Sequence, residues 1–130
     1  MSNTIQITPF MHVTDLDEAL RFFNGVLGFR TLLRAPGYAY IERETAGLRI
    51  MESKGEYAVP PGNRRFAYYV DVRDVDALYA ELKPQLDSLP PADVHGPADK
   101  PYGQRELLVL VPDGNLLAFG QAIGSVVEKP

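Results

Sequence analysis

The side chains able to do chemistry in this sequence are few and of restricted kinds. There is no cysteine, which excludes a thiolate nucleophile, a disulfide framework and any Cys-ligated zinc or iron–sulfur cluster. There are two histidines. His12 shares strand parity with Thr8 and Phe10, which by itself reads as a histidine at the rim of a sheet. His95 stands beside Gly96-Pro97, a loop setting that suits a surface residue better than a metal ligand. A metal cluster would therefore depend on carboxylates, and most of the 17 Asp and Glu fall on helix or turn surfaces. What remains is binding chemistry. Seven Tyr and six Phe are many for 130 residues, and Phe10, Tyr38, Tyr40, Phe66, Tyr68 and Tyr69 fall within strand patterns, where planar ligands can stack. About half of the aromatic rings are ordinary core by the same reading, Phe22 and Phe23 first among them. Arg49 shares parity with Met51, so it meets an anion, a carboxylate or the open rim, because an unpaired buried guanidinium is costly. Arg65 poses the same question.

These residues need elements to position them. Residues 5–13 alternate with the period of a strand. Thr14 or Asp15 then caps a helix whose apolar positions Leu16, Leu20, Phe23 and Leu27 recur at helical spacing, with Gly28 as its stop. Strands are expected at 29–33, 38–42 and 48–52, separated by Ala35-Pro36-Gly37 and Thr45-Ala46-Gly47. The second half repeats this order. A strand over 66–72 leads to a helix capped by Asp74 and carried by Val75, Leu78, Tyr79 and Leu82, with Pro84 expected to end or kink it. A short strand near Val94 and strands over 106–111 and 116–120 complete it, the last two joined by the turn Pro112-Asp113-Gly114-Asn115. Val13-Thr14-Asp15-Leu16-Asp17 echoes Val72-Arg73-Asp74-Val75-Asp76 at the same strand-to-helix junction. The fold class is α+β, from two βαβββ units over about 5–56 and 64–122 within one domain.

Composition bounds the partners. Apolar residues at 45% and charged ones at 23% suit a soluble globular chain. A net charge of -4 argues against nucleic acid or an anionic membrane surface, which call for a basic face. Met1-Ser2-Asn3-Thr4 lacks the basic and apolar segments of a signal peptide, and no apolar run spans a bilayer, so a cytoplasmic location is expected.

Two markers carry a resemblance. Val13-Thr14-Asp15-Leu16, Phe22-Phe23 and Val26-Leu27-Gly28-Phe29 form the first. Tyr102-Gly103-Gln104-Arg105-Glu106 running into Pro112-Asp113-Gly114-Asn115-Leu116-Leu117-Ala118-Phe119 forms the second. Together with the doubled pattern they resemble the vicinal oxygen chelate superfamily, which includes glyoxalase I, extradiol dioxygenases and bleomycin resistance proteins; the pattern is closest to the last. The resemblance implies paired modules forming a cup-shaped mixed sheet with helices on its outer face, and a homodimer whose cups lie at the subunit interface. In the enzymes of the superfamily the cup holds one divalent metal that acts as a Lewis acid.

Carried over residue by residue, the metal positions fall on Thr8, on Met51 with Glu52 one register away, on Arg65 or Ala67 depending on register, and on Ala118. Thr, Met, Arg or Ala, and Ala do not furnish the several N or O donors a divalent ion needs. The resemblance therefore implies a metal-independent protein that sequesters an aromatic or glycopeptide-like small molecule, with no catalytic residue and no cofactor. Its ligand contacts are expected at Thr8, Phe10, His12, Arg49, Met51, Arg65 and Tyr69, joined by Tyr102 and Glu106 of the second marker, where Arg105 and Glu106 also read as a structural ion pair. Two other readings stay open at this point. One is a lyase or dioxygenase using one divalent metal on Glu52, His12 and a further carboxylate; the other is a non-catalytic partner module.

Overall fold

The structure is a computed structural model, and it describes residues 3, 5–53 and 66–124. The first unit is built from β1 (Phe10–Val13), α1 (Leu16–Gly25), β2 (Arg30–Ala35), β3 (Tyr38–Arg43) and β4 (Ala46–Glu52). The second contains β5 (Ala67–Asp71), α2 (Val75–Leu86), β6 (Val94–Asp99), β7 (Gln104–Val111) and β8 (Asn115–Ala122). Their sheets share one plan, in the orders β1-β4-β3-β2 and β5-β8-β7-β6. In each, the first strand runs parallel to the last and the remaining pairs are antiparallel.

Local chemistry explains the repeat. Asp15 caps α1 by accepting the Glu18 amide at 3.0 Å, and Asp74 caps α2 by accepting the Ala77 amide at 2.9 Å. The first amide of each helix is met from the last strand of its own module: Leu16 N–H by Glu52 Oε2, and Val75 N–H by Gln121 Oε1, both at 2.9 Å. The sequence echo at the two junctions thus has one physical meaning, a twice-capped helix entry. At the far end of α1, Gly28 (φ +73°) lets the chain reverse, so that the Phe29 amide returns to the Phe23 carbonyl at 2.9 Å.

Each sheet has a helix face and an open face. Met11, Val13, Ala39, Ile41, Leu48 and Ile50 pack under α1, while Leu107, Val109, Leu117 and Phe119 do the same under α2. Both sets belong to one continuous core. Strand periodicity then directs Phe10, His12, Tyr38, Tyr40, Arg49 and Met51 to the open face of the first sheet.

Two expectations change. The first strand covers only Phe10–Val13, not 5–13. Pro9 has no amide to donate, and its carbonyl makes the last ladder bond, accepting from Arg49 N–H at 3.0 Å. Ile5 and Ile7 are left 93% and 92% exposed. The second helix does not end at Pro84 but continues to Leu86. Pro84 sits in the last turn, where the Asp87 amide still reaches the Lys83 carbonyl, and Leu82 and Leu86 bury that turn against the core. No helix among the described residues is long and apolar enough to cross a membrane.

The modules are clasped by the turn between β7 and β8. Asn115 is fully buried; its amide donates to the carbonyls of His12 in β1 and Pro112, both at 3.1 Å, and its oxygen accepts the Phe66 amide. Asp113, at φ +66°, accepts from the backbone amide and the hydroxyl of Thr14, both at 2.9 Å. Tyr68 adds a third tie by donating its phenol to the Phe10 carbonyl at 2.8 Å. Replacing Asn115 by Ala strands buried backbone groups in both modules, so Asn115→Ala is expected to lower unfolding free energy by about 2–3 kcal/mol, read by urea denaturation. A loss below about 0.5 kcal/mol would show that the clasp is dispensable.

Candidate functional site

The open face of the second sheet is built around Glu106. Its side chain is only 5% exposed although it lies on the face away from α2. Tyr102 donates its phenol to Oε1 at 2.8 Å and Tyr69 donates to Oε2 at 2.9 Å, with Gln104 Oε1 3.0 Å from the same Tyr69 hydroxyl. Burial and the adjacent Glu106 carboxylate push the Tyr69 phenol well above its ordinary pKa, and the Glu106 hydrogen bond raises Tyr102 as well. Arg105, next in sequence, turns the other way and pairs with Asp76 and Asp99 at 3.1 and 2.9 Å. Alternation along β7 separates the two charges, so Arg105 and Glu106 do not form an ion pair with each other.

Glycine makes this arrangement possible. Gly120 pairs with Glu106 across β7 and β8. A Cβ at Gly120 would lie 1.8 Å from the Tyr69 hydroxyl and 2.3 Å from its ring, so the bare backbone is the bed on which Tyr69 lies. The first module uses the same device: a Cβ at Gly47 would come within 2.3 Å of the Tyr40 hydroxyl.

The open face of the first sheet is built around Arg49. Its Nε donates to Thr8 Oγ1 at 2.6 Å, its Nη1 to the Tyr38 hydroxyl at 2.5 Å, and the guanidinium stands 5.2 Å from the Tyr40 ring centroid. Tyr40 in turn donates to Glu42 at 2.8 Å, a bond that raises the phenol's pKa. The Phe10 and Tyr38 rings are tilted by 49° to each other with centroids 6.4 Å apart. His12 pairs with Met51 in the ladder and shares a 2.7 Å hydrogen bond with Ser53.

Residues predicted for the site therefore fall into two groups. Thr8, Phe10, His12, Arg49 and Met51 lie on or beside the first open face; Tyr69, Tyr102 and Glu106 meet on the second. Arg65 lies outside the described residues. A cleft of about 490 Å³ runs between the modules, with Thr8 and Gly47 on one side and Ala67, Tyr69 and Asp71 on the other.

The positions weighed for a metal are also resolved. Phe10 is opposite Arg49 in the first module as Tyr69 is opposite Ala118 in the second, so the counterpart of Ala118 is Arg49 and not Met51. Thr8, Arg49, Ala67 and Ala118 offer one neutral hydroxyl and a cation, which do not fit a divalent ion. Glu52 shares the helix face with Val13 and is engaged by the Leu16 amide, whereas His12 points to the other face, so these two cannot form a common shell. Among the described residues no three His, Cys, Asp or Glu side chains group as a metal site.

Sequence reasoning missed the two glycine beds, Gln104, Ser53 and the clasp of Asn115, which was read as turn chemistry alone. Glycine inside a strand pattern was the available signal for the first of these. Gly120→Ala is expected to displace Tyr69 and destabilise the fold by about 1–2 kcal/mol. Most of that loss should vanish in a Tyr69→Ala background; equal losses in both, by thermal or urea unfolding, would refute the coupling.

Comparison with known proteins places these features. The family described as Glyoxalase/Bleomycin resistance protein/Dioxygenase superfamily matches residues 6–119. A bleomycin resistance protein of Geobacillus stearothermophilus is 26% identical over an alignment 134 positions long, covering 93% of this chain and 99% of that protein. The crystal structure of a bleomycin resistance determinant encoded on transposon Tn5 superimposes with a TM-score of 0.75 at 24% identity, covering 92% of this chain and 98% of that one. The bleomycin-binding protein of bleomycin-producing Streptomyces verticillus, solved with copper(II)-bleomycin, gives 0.72 at 22% identity, covering 96% and 100%. With paired βαβββ modules and a family match over nearly all of its length, the chain belongs to the glyoxalase/bleomycin resistance protein/dioxygenase superfamily.

Proposed function

We propose that this protein sequesters a planar, amine-bearing small molecule of the bleomycin type on its open sheet faces, without a metal ion and without transforming the ligand. The observation that carries this reading is Glu106: a buried carboxylate on an open face, clamped by two phenols and met by no cation among the described residues. A ligand amine or guanidine would complete it, because a charge-assisted contact at a desolvated carboxylate is stronger than the same contact in water. Tyr69 and Tyr102, each about half exposed, supply rings for stacking beside that anchor. The net charge of -4 attracts a cationic ligand modestly. The relatives named for bleomycin resistance and bleomycin binding support an antibiotic as the ligand.

The test is a titration of metal-free bleomycin followed by calorimetry, with the recovered ligand checked by mass. Saturable 1:1 binding per chain is expected, unaffected by chelator, with bleomycin unchanged. Glu106→Gln should weaken it by about tenfold or more. Binding or turnover that disappears with chelator and returns with a divalent ion would overturn the reading.

The working form in this proposal is a cytoplasmic homodimer. Ile5, Ile7, Leu32, Leu33, Phe66 and Leu110 are all at least 40% exposed, more apolar surface than an isolated small chain usually presents to water. A second copy covering these residues is the simplest closure, since symmetric pairing buries the same patch twice. Sedimentation should give twice the 14.4 kDa chain mass at micromolar concentration; a monomer there would count against it.

A further inference from the structure

Arg34, Arg43 and Arg105 each meet a carboxylate. Arg49 does not. Its partners among the described residues are a threonine hydroxyl, a phenol and the face of a tyrosine ring, all neutral. It sits in the middle of β4, between β1 and β3, so its head cannot escape around a sheet edge, and it is only partly exposed. The nearest acid along its network, Glu42, is already taken by the Tyr40 phenol. Among the described residues no anion offsets the partial desolvation of this guanidinium.

The surroundings hold that charge in one place. Two hydrogen bonds fix Nε and Nη1, and Tyr40 lies beside the guanidinium because Gly47 leaves its ring room. Of five N–H groups, two are donated to these hydroxyls, and no described residue is bonded to the other three. A pre-positioned planar fork with spare donors matches the two oxygens of a carboxylate. Phe10, 46% exposed, and Tyr38 stand alongside as an aromatic wall. The same location is the one where the donor set fails to suit a divalent ion, so the positive charge there is organic and is supplied by the chain itself.

We propose that Arg49, seated among Thr8, Tyr38 and Tyr40, is an oxyanion-binding residue that receives the carboxylate of an aromatic ligand. The proposal rests on the reading that the open faces hold a small organic molecule, and it adds an anionic group to the chemistry of that ligand. Glu106 and Arg49, on different modules, then select opposite charges.

The test compares 2-naphthoate with 2-naphthamide, which has the same ring and nearly the same shape without the charge, by NMR titration of the full chain. Naphthoate is expected to bind about tenfold or more tightly, and Arg49→Gln to abolish that preference. Tyr38→Phe removes one fixing bond without touching the charge, and should lower the preference about threefold if Arg49→Gln fails to fold. Equal binding of acid and amide, binding of neither at millimolar concentration, or a preference that survives Arg49→Gln would each overturn the proposal. The outcomes separate it from the broader function. Tight bleomycin binding with no acid preference sinks the anion subsite alone, whereas an Arg49-dependent acid preference without bleomycin binding sinks the antibiotic reading alone.

Discussion

The arrangement depends on one buried amide. Asn115 contributes nothing apolar to the core that encloses it, yet it satisfies a carbonyl of β1 and an amide ahead of β5 at once. A buried polar side chain is tolerated only when its hydrogen bonds are complete, and here completion requires both modules to be in place. Asp113, two residues earlier, adds the same demand by holding the backbone amide and hydroxyl of Thr14. The register between the halves is thereby specified by polar groups, while the apolar core that joins them supplies attraction with little direction.

Once the modules are held in register, their shared plan and their different chemistry can be compared position by position. Each module opens its helix with an aspartate cap and a side chain from its own last strand, so the two helices cover their sheets in the same way. Each open face has a glycine under a tyrosine. The contents then part. The first face centres on a guanidinium bounded by hydroxyls and rings; the second centres on a carboxylate gripped by two phenols. A duplicated scaffold with opposite charges on its two faces suits recognition of a ligand with several polar groups better than coordination of an ion by four equivalent donors.

Much of this was legible in the residues. Helix spacing at Leu16, Leu20 and Phe23, the aspartates at both helix entries, and the alternation through Tyr38–Glu42 are local signals, and each produced the element it indicates. Strand parity also sorted His12, Arg49 and Met51 to one face. The failures share a cause. Parity tells which face a residue takes, but not which residue stands opposite, so the counterpart of Ala118 was placed at Met51, two residues beyond Arg49. Glu52 looked like a possible donor until its role at the Leu16 amide was visible. Pro84 looked like a helix end because the buried Leu86 beyond it exerts no local signal.

The chemistry of this chain divides between what its residues carry and what its fold brings together. The absence of cysteine, the pair of histidines, the abundance of tyrosine and the doubled element order were properties of the chain as written, since composition and short-range periodicity need no partner to be read. Which tyrosine reaches Glu106, which hydroxyls hold Arg49, and which asparagine joins the halves were decided only by tertiary structure. Those contacts bring together residues 37 to 103 positions apart in several cases, as between Thr8 and Arg49, Tyr69 and Glu106, or His12 and Asn115. Hydrogen bonds reach about 3 Å and depend on angle, so they are set by strand register and glycine-sized gaps that no periodic pattern encodes.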